Sequence, residues 1–113
     1  MLKIQQVTND TRQRQTLTLP DGTALTIEMY FVPMQYCWFI EKLTYLDFEV
    51  NGLKISNNLN ILRQFKNQIP FGLACISVND REPSFQDDFS TGASTLYILT
   101  AEEVEAYEDY LRG

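Results

Sequence analysis

The run Gln13-Arg14-Gln15-Thr16-Leu17-Thr18-Leu19, the turn Pro20-Asp21-Gly22 and the run Thr23-Ala24-Leu25-Thr26-Ile27-Glu28-Met29-Tyr30-Phe31 decide the fold class. In the second run Leu25, Ile27, Met29 and Phe31 fall on one side and Thr26, Glu28 and Tyr30 on the other, the period of two that a half-buried strand requires. In the first run Gln15, Leu17 and Leu19 share a face. Pro presets φ and Gly accepts a left-handed backbone, so Pro20-Asp21-Gly22 closes the two runs into a hairpin.

The flanking sequence extends the β reading. Leu2 to Val7 reads as a short first strand and Thr8-Asn9-Asp10-Thr11 as a polar turn. Pro33 in Val32-Pro33-Met34-Gln35 interrupts the ladder. Tyr36-Cys37-Trp38-Phe39-Ile40 is apolar on both faces, with Tyr36, Trp38 and Ile40 sharing one, which predicts a central or doubly covered strand. Thr44 to Val50, the turn Asn51-Gly52 and Leu53-Lys54-Ile55 read as a second hairpin. Ser56-Asn57-Asn58 supplies capping oxygens for a short internal helix of at most two turns, carrying Leu59, Leu62 and Phe65 and stopping at Asn67. Leu73 to Val78 and Ser94 to Leu99 are further strands, separated by a polar loop over residues 79–89 that contains Pro83. Thr100-Ala101-Glu102-Glu103 has capping-box spacing, and Val104, Tyr107 and Leu111 form an apolar helical stripe behind it. That stripe has two readings, packing on the chain's own body or presentation to a partner groove.

The expected fold is therefore mainly β, a small single-domain antiparallel β-barrel or sandwich. It carries one short internal helix and a C-terminal helix. Residues 1–113 form one β-rich domain, with 100–113 as a C-terminal acidic helix. At 113 residues the chain is long enough to bury roughly two-thirds of its unfolded surface without metal or disulfide support.

Charge and composition narrow the function. The net charge is -6, from 9 Lys and Arg against 15 Asp and Glu, and phosphate binding needs clustered bases, so nucleic acid is a poor partner. Residues 101–113 hold Glu102, Glu103, Glu105, Glu108 and Asp109 against Arg112; subtracting them leaves 10 acids and 8 bases, a net of -2. The acidity sits in the tail. The start of the chain shows no apolar signal core, and no run approaches the ~20 apolar residues of a membrane helix. Synthesis in the cytoplasm is the default. Cys37 and Cys75 lie in apolar runs and read as buried, reduced thiols, though a disulfide between neighbouring strands stays open.

Few residues invite chemistry. There is no His, which removes the commonest general base and most zinc sites. The glycines are scattered and form no phosphate loop. Asp80, Glu82, Asp87 and Asp88 are the one plausible metal or acid/base cluster; their spacing does not fit a calcium loop, and they read as a solvated loop. Tyr36 and Trp38 read either as a ligand-stacking platform or as a buried aromatic ladder. No catalytic, cofactor-binding or metal-binding residue is assigned, and no cofactor is expected. Tyr36, Trp38, Tyr107 and Leu111 are the candidate interface residues. The chain is read as non-enzymatic, with a small β-barrel ligand-binding module using an aromatic pocket as the alternative.

From about Thr16 to Glu103 the ordered segments resemble the small baseplate plug proteins of contractile-tailed bacteriophages, typified by a cyanophage baseplate plug. The similar pieces are the early hairpin, Trp38-Phe39-Ile40-Glu41, Gly52 with Leu53-Lys54-Ile55, Asn60-Ile61-Leu62-Arg63-Gln64-Phe65, Phe71-Gly72-Leu73, Asp87-Asp88-Phe89 through Thr91, and Leu96-Tyr97-Ile98-Leu99. Ser90 stands where the family has Gly, and the stretch Lys42 to Asp47 and the acidic tail are additional. The resemblance implies a non-enzymatic structural component of a phage tail or baseplate, plugging or joining the tube–hub region of the virion. Its partners would be hub, tube and spike proteins, and the isolated chain would be a monomer or weak oligomer. The family has no catalytic residues to carry over.

Overall fold

The computed structural model describes residues 2–4, 7–19 and 22–112. Among these residues seven strands and one α-helix follow in order: β1 Leu2–Lys3, β2 Arg12–Thr18, β3 Ala24–Val32, β4 Cys37–Tyr45, β5 Phe48–Ile55, β6 Gly72–Ser77, β7 Ser94–Leu99 and α1 Ala101–Arg112. They form two antiparallel sheets, β2-β3-β4-β5 and β1-β7-β6. The sheets face one another as a sandwich and do not close into a barrel.

The alternation in β3 is the organising feature. Leu25, Ile27, Met29 and Phe31 are buried while the residues between them are half-buried. They meet Trp38, Ile40, Leu43 and Ile55 of the same sheet and Leu73, Cys75, Leu96 and Ile98 of the other in one core. The outer face of the smaller sheet is also apolar because α1 covers it. Ala74, Leu99 and Val104 form a second buried cluster, with Tyr97 packed against it. That third layer is why β6 carries apolar residues on both sides, at Ala74 as well as at Leu73 and Cys75.

The β2–β3 hairpin matches its expected residues. Leu19 N–H donates to Thr23 O at 2.8 Å and Gly22 N–H to Leu19 O at 2.8 Å. Gly22 takes φ 88, the left-handed value expected of it; Pro20 and Asp21 lie outside the described residues. The first strand is shorter than Leu2 to Val7. It pairs over Leu2–Lys3, and Ile4 N–H adds a bond to Leu96 O at 2.9 Å; Gln5 and Gln6 lie outside the described residues.

The second hairpin is placed differently from its sequence reading. Asn51-Gly52 is not a turn. β4 continues to Tyr45, the chain reverses at Leu46-Asp47, and β5 runs unbroken through Asn51 and Gly52. Gly52 at φ 69 instead accompanies a bulge. Across β3 and β4, Glu28 pairs with Lys42 and Met29 with Ile40, so Glu41 is one residue in excess. Trp38 and Ile40 point inward before it and Leu43 and Tyr45 after it. β5 switches its inward face at the same level, from Phe48 and Val50 to Leu53 and Ile55, so the two strands keep one register throughout. A glycine at positive φ serves a bulge as well as a primed turn, and the dipeptide does not distinguish them.

The internal helix is smaller than expected. It is one 3-10 turn, Arg63–Phe65, with no side-chain cap. The asparagines organise its approach instead. Asn58 Oδ1 accepts from Asn60 N–H at 2.9 Å, and Asn60 Oδ1 accepts from Leu62 N–H at 3.1 Å and Leu73 N–H at 3.3 Å. Phe65 packs edge-on against Phe48 at 5.3 Å, and Phe71 likewise against Tyr45 at 5.1 Å, closing one end of the sandwich. The capping box forms as read: Glu103 N–H donates to Thr100 Oγ1 at 3.2 Å and Thr100 N–H to Glu103 Oε1 at 3.0 Å.

Candidate functional site

The residues singled out for interfaces go to different places. Trp38 is wholly buried, packed at 5.4 Å on Phe31 and edge-on at 5.5 Å against Phe89, and its Nε1–H donates to Phe85 O at 3.1 Å. As an interface residue Trp38 is therefore corrected to a core residue. Tyr36 does not share its face. It precedes β4, takes φ 51 at the end of the Pro33–Gln35 turn, and is 66% exposed beside the almost bare Met34. The left-handed residue rotates Tyr36 out of the alternation that the sequence pattern assigned it. Trp38 and Tyr36 form no common aromatic pocket.

The tail stripe splits in the same way. Val104 is buried, Tyr107 half-buried and Leu111 44% exposed. The helix docks on the body, and its deepest polar anchor is an acid on the same face as the stripe. Glu108 is 6% exposed. It accepts from Arg63 Nε at 2.7 Å, Arg63 NH2 at 3.2 Å and Lys66 Nζ at 2.8 Å. The hydrogen bonds from Arg63 and Lys66 outweigh desolvation and bring its pKa down to about 2. Nothing in the local sequence marks Glu108 among five tail acids; only its position four residues after Val104 places it on the same helix face.

The acidic loop is a brace. Asp88 is not solvated as its composition suggested but 2% exposed. It accepts from Arg81 NH1 at 3.0 Å and NH2 at 2.6 Å, from Ser84 N–H at 2.8 Å and from Phe85 N–H at 2.9 Å. Burial alone would raise its pKa; the Arg81 guanidinium and the two backbone donors overcome that and hold it below the usual carboxylate range. Arg81 also lies over the Phe85 ring at 5.4 Å. Glu82 is turned elsewhere, accepting from Asn57 N–H at 3.1 Å, and Asp87 is exposed. Among the described residues these acids do not converge on one point. The cysteines are free and buried, and burial, the leading cause, pushes the Cys75 thiol up to about 11.

The surface that sequence reasoning missed is the outer face of the four-stranded sheet. Register aligns side chains in cross-strand rows. Arg12, Tyr30, Phe39 and Lys54 form one row, and Arg14, Glu28, Lys42 and Asn51 the next. Arg12 covers Tyr30 at 5.3 Å, Tyr30 stacks on Phe39 at 5.6 Å and 20°, and Arg12 is ion-paired with Glu41. A depression of about 510 Å³ lined by Arg14, Glu28, Lys42 and Asn51 lies alongside. The rings stack on each other, so their faces are occupied within the row rather than offered to a planar ligand. Only the pairing register, which a single strand does not carry, brings these residues together. No protein-family model and no curated protein sequence matches the chain.

Proposed function

We propose that the chain is a non-enzymatic structural subunit of a phage tail or baseplate, plugging or joining the tube–hub region. The observation that supports a structural role is the use made of its two buried acids. Asp88 and Glu108, the acids most shielded from water among the described residues, are each engaged by donors of the same chain. Asp88 braces the loop between β6 and β7 from within, and Glu108 ties α1 to the Arg63–Lys66 segment. The tail setting rests on the ordered resemblance from Thr16 to Glu103 to the baseplate plug family. A rigid sandwich with exposed Met34, Tyr36 and Tyr110 offers contact surface of the kind that symmetric repetition around a tail would multiply.

Light scattering of the purified chain, alone and mixed with phage hub and tube subunits, tests this. A stoichiometric complex with one of them is expected. A chain that binds neither while turning over a small molecule would refute the proposal.

A further inference from the structure

The two sheets have four outer edges, and three are protected. β1 is two residues long. The edge of β6 is covered by the segment after β5: Asn58 and Cys75 exchange bonds at 3.0 and 2.9 Å, and Ile61 N–H donates to Leu73 O at 2.7 Å. β5 keeps its register but takes a positive φ at Gly52, opposite the Glu41 bulge of β4, and carries Glu49 and Lys54. Short strands, bulges and covering segments are the usual defences of a sheet edge. β2 carries the charges of Arg12 and Arg14 but has none of these three. Arg12–Thr18 contains no Gly or Pro and pairs with β3 residue for residue, without a register shift.

The direction of its free groups follows from its neighbours. Phe31 N–H donates to Thr11 O, and Leu19 N–H to Thr23 O, so odd-numbered residues of β2 exchange bonds with β3. The backbone N–H and C=O groups of Arg12, Arg14, Thr16 and Thr18 face outward, and among the described residues they bond to no other element. The inward side is also incomplete. Gln13, Gln15 and Leu17 are only half-buried where the corresponding residues of β3 are buried, because a three-stranded sheet does not cover a four-stranded one.

We infer that β2 is a homodimer edge, pairing antiparallel with β2 of a second copy about a two-fold axis through Gln15. The side chains select this register. Centring on Gln15 sets Arg14 opposite Thr16 and Arg12 opposite Thr18 of the second copy, so all four outward residues form hydrogen-bonded pairs, about eight bonds in total. Centring on Arg14 would set two arginines directly opposite, which is repulsive. Centring on Thr16 leaves Arg12 without a partner. The chosen register joins two four-stranded sheets into one and lays Gln13 of each copy against Leu17 of the other. It is an isologous contact that closes at two copies. The inference concerns the chain alone and stands apart from the tail assignment.

Sedimentation of the full chain at about 100 μM, which detects even a weak homodimer, should show a species of twice the 13.1 kDa chain mass. Thr16→Pro removes an outward N–H and one exposed hydroxyl contact with Thr26, and it is compatible with an edge strand; it should keep the native circular dichroism and sediment as a monomer. The second arm uses cysteines. At the axis facing Cα atoms lie about 4.5 Å apart, within disulfide reach. Gln15→Cys should therefore oxidise to a covalent dimer at least tenfold faster than Arg14→Cys. A monomer at this concentration overturns the inference. So does a folded Thr16→Pro dimer, or Arg14→Cys cross-linking as fast as Gln15→Cys. The cysteine pair decides the matter if Thr16→Pro fails to fold.

Discussion

Glu108 on the C-terminal helix accepts a hydrogen bond at 2.7 Å from Arg63 Nε, in the single 3-10 turn that follows β5. With Lys66 at 2.8 Å, this clamp fixes the last element of the chain to the middle of it. Val104 supplies the apolar half of the same docking, against Ala74 and Leu99.

Acid should weaken this clamp. The Glu108 carboxyl has a folded pKa of about 2 against an ordinary 4.5. A depressed folded pKa means stability that is present above pH 4.5 and lost as pH falls from 4.5 towards 2. Asp88 is shifted in the same direction, so it adds to the same acid limb. Thermal midpoints between pH 7 and pH 2 should fall for the natural chain and fall less steeply for Glu108→Gln. Parallel curves would contradict the clamp.

Gly72 and Gly52 should fail for different reasons when changed to Ala. A Cβ at Gly72 would stand 2.7 Å from Asn60 Oδ1. It would displace the carboxamide that accepts from Leu62 and Leu73 N–H. Stranding those buried donors costs about 1–3 kcal/mol each, so Gly72→Ala should lower the urea-unfolding free energy by at least about 2 kcal/mol. Gly52 has open space around it but φ 69, and Gly52→Ala should cost only the left-handed penalty of about 1–2 kcal/mol. Equal losses at the two sites would argue against this distinction.

Leu46 occupies a turn position better suited to another residue. It is 71% exposed and held at φ 52. Asn tolerates that conformation where Leu does not. Leu46→Asn should raise stability by about 0.5–1 kcal/mol, read as a higher denaturant midpoint with an unchanged slope. No gain would mean that the Leu46 side chain contributes packing beyond its exposure.

Asp88 and Trp38 should report on each other. Asp88 holds Phe85 N–H, and Phe85 O holds Trp38 Nε1. Trp38 is the one tryptophan, so fluorescence reads this linkage without interference. Asp88→Ala should red-shift its emission under native conditions, with destabilisation of about 1–3 kcal/mol per stranded backbone donor. An unshifted spectrum would mean that the loop is held by other contacts.

What was legible in the sequence was local. The β3 alternation, the β7 boundaries and the Thr100–Glu103 box are complete within a few residues, and each is borne out. What misled was a signal with two outlets. Asn51-Gly52 announces a positive φ, which the chain spends on a bulge while Leu46, with no such signature, takes the turn. Tyr36 obeys the period of its strand on paper but leaves it through one left-handed residue. Asp88 looks like its neighbours in an acidic loop, and only the fold brings Arg81 round to it. Glu108 and the Arg12–Tyr30–Phe39–Lys54 row depend on pairings between distant segments, which no window of sequence contains.

The central claim is that this sandwich works by fitting into a tail assembly. Immunogold labelling of purified virions with antibody raised against the chain tests it most directly. Label concentrated at the baseplate end, retained after the sheath is stripped from the tube, is the expected result. Virions free of label and of the chain by mass spectrometry, with the protein abundant in infected cells, would contradict it.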